Sequence, residues 1–311
     1  MARLDVANAR LGARRARIAG PRELRALLAR GAPGGAGEAA LREALAVEGE
    51  EVLRWVEGAR ARALLGAWLG LDEATAVKAV LRGVAAGEPV DRILAAAPPS
   101  PGVGRDVLRR AAEARDVEAA ALALGAASAL GAAAQAALAA TPPPEGLPAA
   151  ELAVDRAAVA RARRACRGRD EDARVMTRAL AGVADVRNAA TLLVLAGAIP
   201  AASPWIPGGT RLPPERLEAV AREGAAAARA AVAAAWRLPP ETTASPARAE
   251  RALEGALVRA LFRDARLRPL SLAVPLAYLA ARREEVRRTA LVVLGAAVGL
   301  DGDELLDLVE A

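Results

Sequence analysis

Six aromatic side chains, Trp55, Trp68, Trp205, Trp236, Phe262 and Tyr278, are all that a chain of 311 residues supplies. A chain of this length can bury roughly three quarters of the surface its unfolded form exposes. The interior must therefore be filled by Ala, Leu and Val. Small side chains let helix axes approach closely, so the composition predicts an all-α protein of tightly packed helices. Gly (27) and Pro (20) mark many breaks between them.

One stretch recurs and organises the rest. The last copy reads EVRRTALVVLGAAVG from Glu285, and two weaker copies lie upstream, EATAVKAVLRGVAAG from Glu73 and DVRNAATLLVLAGAI from Asp185. Each opens on an acid, passes a mixed first turn and continues as a run of Val, Leu and Ala. The copies are roughly a hundred residues apart, a domain-sized interval and too long for a solenoid. In the last copy Val286, Leu291, Val292, Leu294, Val298 and Leu300 predict a helix buried on most of its surface. Aligned on the opening acid, Lys78 and Arg82 of the first copy face Ala190 and Val194 in the second, and Ala290 and Leu294 in the third. Asn188 corresponds to Arg288.

TPPPEGLP from Thr141 and LPPETTASP from Leu238 read as linkers. They divide the chain into N-terminal helices (residues 1–45), a first helical unit (46–141), a second (149–238) and a third (247–311). After its core copy the first unit continues with VLRRAAEARDVEAAALAL, and the second with RLEAVAREGAAAARAAV; the third stops. The N-terminal ELRALLARGAPGGAGEAALREAL is similar to the missing piece. Residues 1–45 are thus expected to complete the third unit and close three pseudo-symmetric units into a funnel or ring. Contacts between Leu24 to Leu45 and the final helix would test this. Leu41 to Leu71 reads as one long helix or a helix pair with Trp55 and Trp68 inward, and Pro213 and Pro214 start a helix after SPWIPGG.

Little chemistry is on offer. Histidine is absent, removing the usual general base and the commonest metal ligand. There is no glycine-lysine phosphate cradle. The single cysteine, Cys166, excludes an intramolecular disulfide and a cysteine-based zinc site. Arg163, Arg164, Arg167 and Arg169 around it would lower its pKa, but no base accompanies it. The acids of DGDE read as a helix start, Asp301 capping with Glu304 three residues on, rather than as a cation site. No catalytic, metal-binding or cofactor-binding residue and no small-molecule substrate is expected.

The basic balance points away from nucleic acid. The 43 basic residues are interleaved with 37 acidic ones, and no basic run carries aromatics on which bases could stack. Lys78 is the only lysine, which suggests a GC-rich coding bias behind the arginine excess. Ala119 to Ala140 is uncharged, yet its alanines, Ser128 and Gln135 give it too little hydrophobic drive for a span. No secretory signal precedes Pro21. Arg10, Arg14 and Arg17 share one helical face, either a basic stripe toward an acidic partner or lipid headgroups, or a solvated face.

Several stretches, in order along nearly the whole chain, resemble the C subunits of the prokaryotic V-type (A-type) ATPases, a family whose eukaryotic members are called d subunits. PLAYLAARREEVRR, leading to Gly295, Gly299 and Leu300, is similar to that family's C-terminal signature; DVRN from Asp185 with IPGG from Ile206 is similar to its central one. NARLGARRARIAGPRELRALLA from Asn8 is similar to its opening helix. The resemblance implies a non-catalytic part at the cytoplasmic face of the membrane, peripheral through protein contacts. Its partners would be the central-stalk subunits and the proteolipid rotor ring, and it would have no cofactor. Candidate contact residues are Arg10, Arg14 and Arg17, with Lys78 and Arg82. Two other readings of the residues are a helical adaptor of another complex, and a helical enzyme using carboxylates alone, which would need two acids converging in a pocket.

Overall fold

The computed structural model describes residues 5–15, 36–98, 100, 102–195, 203–297 and 299–300. Among these the chain is all-α, with one isolated bridge between Ser100 and Val103. Helix α1 (Asp5–Arg15) precedes α2 (Ala36–Trp55) and α3 (Ala59–Leu69). The last two are the predicted helix pair, split at Gly58, whose φ of 89° suits glycine and few other residues. Trp68 is buried, while Trp55 is half-buried. The first core copy forms α4 (Asp72–Ala85), followed by α5 (Val90–Ala96) and α6 (Arg105–Ala112).

The long uncharged stretch breaks into a helical hairpin, α7 (Val117–Gly125) and α8 (Ala129–Ala140). Asp116 caps α7 by accepting from Ala119 N at 2.8 Å, and Ser128 caps α8 by accepting from Gly131 N at 3.0 Å. Gly131 lets the two helices meet, since a Cβ there would lie 2.2 Å from the carbonyl carbon of Leu124. Among the described residues no helix is long and apolar enough to cross a membrane.

Helix α9 (Leu147–Ala165) leads into α10 (Glu171–Leu195), which carries the second core copy. The acidic turn between them is structural: Asp170 accepts from Ala173 N (2.8 Å), and Asp172 accepts from Leu272 N (2.8 Å). Pro213 precedes α11 (Pro214–Glu223) as predicted; α12 (Ala225–Trp236) and a 3-10 turn (Pro240–Ala244) follow. Ser245 then caps α13 (Pro246–Leu267). The final helix, α14 (Ala273–Ala297), joins the third core copy to its lead-in as one continuous rod. It is buried from Ala273 to Ala281, apart from half-buried Val274. The DGDE acids lie outside the described residues.

Among the described residues four apolar clusters hold these helices, the smallest joining Val159, Ala184 and Ile206. One gathers Val52, Leu64, Leu65, Trp68, Met176, Leu180 and Leu276; a second lies within α4 to α9; a third packs Leu192, Trp205, Leu217, Val232 and Trp236. Each fully buried leucine contributes about 1.5–3 kcal/mol. The first and last described helices meet in the first core. Both α1 and α2, the latter carrying residues 36–45, pack on α14. Asn8 Nδ2 donates to the carbonyl of Pro269 (2.6 Å), Arg282 Nε to Glu48 (2.8 Å), and the Tyr278 hydroxyl to the same Glu48. Residues 24–35 of the expected contact lie outside the described residues.

Candidate functional site

The packing order positions a cleft. Helix α4 lies against α9, α9 against α10, α10 against α13, α13 against α14, and α14 against α2, which also touches α3. Between them is a space of about 300 Å³.

Its wall repeats. Three residues at i, i+3 and i+4 come from each of three helices: Arg42, Leu45 and Ala46 of α2, Asp155, Ala158 and Val159 of α9, and Glu254, Leu257 and Val258 of α13. That spacing puts each trio on one helix face. The core copies contribute a second set at the same spacing: Leu71, Ala74 and Thr75; Val183, Val186 and Arg187; Arg283, Val286 and Arg287. These match position for position when the copies are aligned on Glu73, Asp185 and Glu285. Each opening acid is held in place. Glu73 receives Arg161 Nη1 at 2.7 Å, Asp185 accepts from the backbone of Thr210 (2.7 Å) and Arg211 (3.0 Å), and Glu285 pairs with Arg282. Burial pushes the Asp185 carboxyl up against those backbone donors.

Ion pairs lace the same wall. Arg187 reaches Asp155 at 3.3 Å, and Arg287 bridges Glu254 (2.9 Å) and Glu284 (2.8 Å). Arg283 meets Asp72 at 2.6 Å and lies 5.3 Å over the Trp68 ring. Burial pushes the Glu254 carboxyl up, with Arg287 pulling the other way. Facing acids and arginines are cross-linked here, which stiffens the wall. The acids that converge on the cleft are paired with arginines, so none stands as a free general base.

The central motif is a clamp for a loop. Asn188 is buried and makes two bonds to Ile206, donating to its carbonyl (2.9 Å) and accepting from its N–H (2.7 Å). Arg163 caps the carbonyls of Pro207 (3.0 Å) and Gly208 (3.2 Å). Gly208 has φ 93°, and a Cβ there would lie 1.7 Å from Arg163 Nη1. DVRN and IPGG are therefore two halves of one hydrogen-bonded unit.

The predicted contact residues fall in two places. Arg10 is exposed, 5.6 Å from the Trp55 ring centroid; Arg14 stacks on the same ring at 4.6 Å and pairs with Glu51 (2.8 Å) and Glu48 (3.5 Å). Arg17 lies outside the described residues. Lys78 is buried, its Nζ 2.8 Å from both oxygens of Asp155, and Arg82 grips Glu151 with two bonds. Burial and then Arg187 lower the Lys78 pKa, opposed by Asp155. Lys78 and Arg82 thus brace α4 against α9. Cys166 departs from the sequence reading: burial pushes its thiol up despite Thr177, Arg60 and Arg163, so the arginine-rich stretch does not activate it.

Arg187, Arg287, Asp155 and Glu254 were not singled out in the sequence, because their counterparts in the first repeat, Thr75 and Arg42, break the charge pattern. A signal was there: AELAVD ends on Asp155, AERALE on Glu254 and GEAALR on Arg42. Among the described residues no cluster of acids or cysteine is placed to hold a metal ion. The profile of the family described as ATP synthase (C/AC39) subunit matches residues 9–308. No sequence among curated proteins matches the chain.

Proposed function

Because the chain belongs to the ATP synthase (C/AC39) subunit family, an accessory part of V/A-type ATPases, we propose that it is the coupling piece between the proteolipid ring and the central stalk. In this reading it carries torque at the cytoplasmic face of the membrane, while hydrolysis and ion passage belong to other subunits. The observation that carries it is the repeating wall of the cleft, with three helices presenting equivalent trios and three core helices presenting a second set.

A socket of this kind is what a rotating shaft requires. Quasi-equivalent walls accept a load from several directions, and close-packed helices deform little under it. The ion pairs between α9 and α10 and between α13 and α14 resist sliding of one helix past another. The contacts of α1 and α2 with α14 support closure of the units into a funnel or ring, α2 presenting the first unit's trio beside the third unit's last helix. Among the predicted contact residues that are described, Arg10 is exposed and has no carboxylate partner among the described residues, which leaves it open to an acidic partner.

The test is affinity capture of the tagged chain from gently detergent-solubilised native membranes, with mass spectrometry of the copurifying proteins. Recovery of ring proteolipid and stalk subunits is expected. Capture of a different soluble assembly, with neither of these present, would replace this reading with that of a helical adaptor.

A further inference from the structure

One end of the molecule combines charge with exposed leucine. Leu267, the last residue of α13, and Leu270 in the turn after it are 76% and 59% exposed, with Pro269 between them also exposed. Arg263 and Arg266 precede them on the surface. Arg268 reaches Glu171 at 3.3 Å and Arg178 reaches Asp264 at 2.9 Å, so the start of α10 and the end of α9 share this end. There Arg167 and Arg169 are exposed too.

The charge balance is one-sided. Of the acids at this corner, Asp264 and Glu171 are taken up by Arg178 and Arg268, Asp170 accepts from Ala173 N and lies 3.8 Å from Arg60, and Asp172 accepts from Leu272 N. Arg167, Arg169, Arg263 and Arg266 have no carboxylate partner among the described residues. Part of their role is to complement the C-terminal dipoles of α9 and α13, but that leaves their full charge facing outward. The two leucines have no such internal role, because their side chains are solvated rather than packed. Arginines spread over several elements around a protruding apolar turn fit a broad anionic surface into whose boundary two leucines can enter.

We infer that this end, built from the turn at Leu267 to Leu270 and the arginines around it, docks directly on anionic lipid headgroups. The inference does not depend on the chain's place in a rotary ATPase, since it concerns the bilayer and not another subunit. A purely acidic protein partner would use the arginines and leave Leu267 and Leu270 unexplained.

The test is co-sedimentation of the full-length chain with vesicles of phosphatidylcholine alone, and with vesicles containing about a third phosphatidylglycerol. The chain should partition onto the anionic vesicles only, and added salt should weaken it. The pair Leu267→Asp and Leu270→Asp should reduce partition about ten-fold or more, and so should Arg263→Glu with Arg266→Glu. Unchanged far-UV circular dichroism and monodispersity of each variant exclude misfolding as the cause. No partition onto anionic vesicles at low salt would overturn the inference, as would equal partition of the leucine variant. Binding that appears only when ring proteolipid is reconstituted into the vesicles would overturn it in favour of a protein surface.

Discussion

Asp155→Ala gives the sharpest test of how the wall of the cleft is held. In the native chain the Asp155 carboxylate takes both bonds from Lys78, whose side chain is 8% exposed, and a third contact from Arg187 at 3.3 Å. Removing the acid leaves a buried ammonium without compensation, a change that costs about 3–5 kcal/mol when a buried pair is broken from one side. Lys78→Met should cost only about 1–2 kcal/mol, because the acid keeps Arg187 and loses bonds from one donor. The double variant should then be more stable than Asp155→Ala alone, since the stranded charge is gone; Arg187, 36% exposed, can turn to water. Urea unfolding followed by far-UV circular dichroism gives all four corners of this cycle. If Asp155→Ala loses less than about 1 kcal/mol, the buried pair is not organised as described. A double variant no more stable than Asp155→Ala would show that Lys78 is not the stranded charge.

Asn188→Ala should cost about 2–4 kcal/mol, because it leaves both the N–H and the C=O of Ile206 without partners in a buried site; proteolysis near Ile206 should accelerate in step, and unchanged stability and cleavage would sink the clamp. Glu254→Gln tests the carboxyl raised by burial. A folded-state pKa above the unfolded one means that the folded chain holds the proton more tightly. Its contribution is therefore fully present at low pH and is lost as pH rises from the ordinary carboxylate range through the raised value. The stability difference between the Gln variant and the native chain should accordingly shift toward the variant as pH rises above the ordinary carboxylate range. A difference that stays constant with pH would contradict it.

The helices themselves were legible where periodicity and breakers agree. Leu41 to Leu71 reads as one long helix or a pair, and Gly58 makes it a pair; Ser128, read only as weakening the apolar stretch, caps α8. The last helix was legible only as two parts. Pro275 suggests a break, but it falls in the first turn of α14, where a missing N–H leaves no bond unmade. The register of the three core copies could be read from Glu73, Asp185 and Glu285, and the cleft wall agrees with it. What this register could not convey is which neighbouring helix each basic residue faces. Lys78 and Arg82 turn toward α9 and are absorbed there, whereas Thr75, Arg187 and Arg287 turn toward the cleft. Facing is set by how helices far apart in sequence cross, and a pattern within one helix does not contain it. Cys166 illustrates the same limit: its arginine neighbours in sequence point to a lowered thiol pKa, while burial in the fold raises it.

The central claim is mechanical coupling, and it is met most directly by measuring ATP hydrolysis and ATP-driven ion pumping side by side. Membranes from cells lacking this chain would be compared with membranes in which it has been restored. The account predicts that hydrolysis persists without the chain while pumping is lost, and that restoring the chain brings pumping back. Pumping that proceeds normally in its absence would contradict the account.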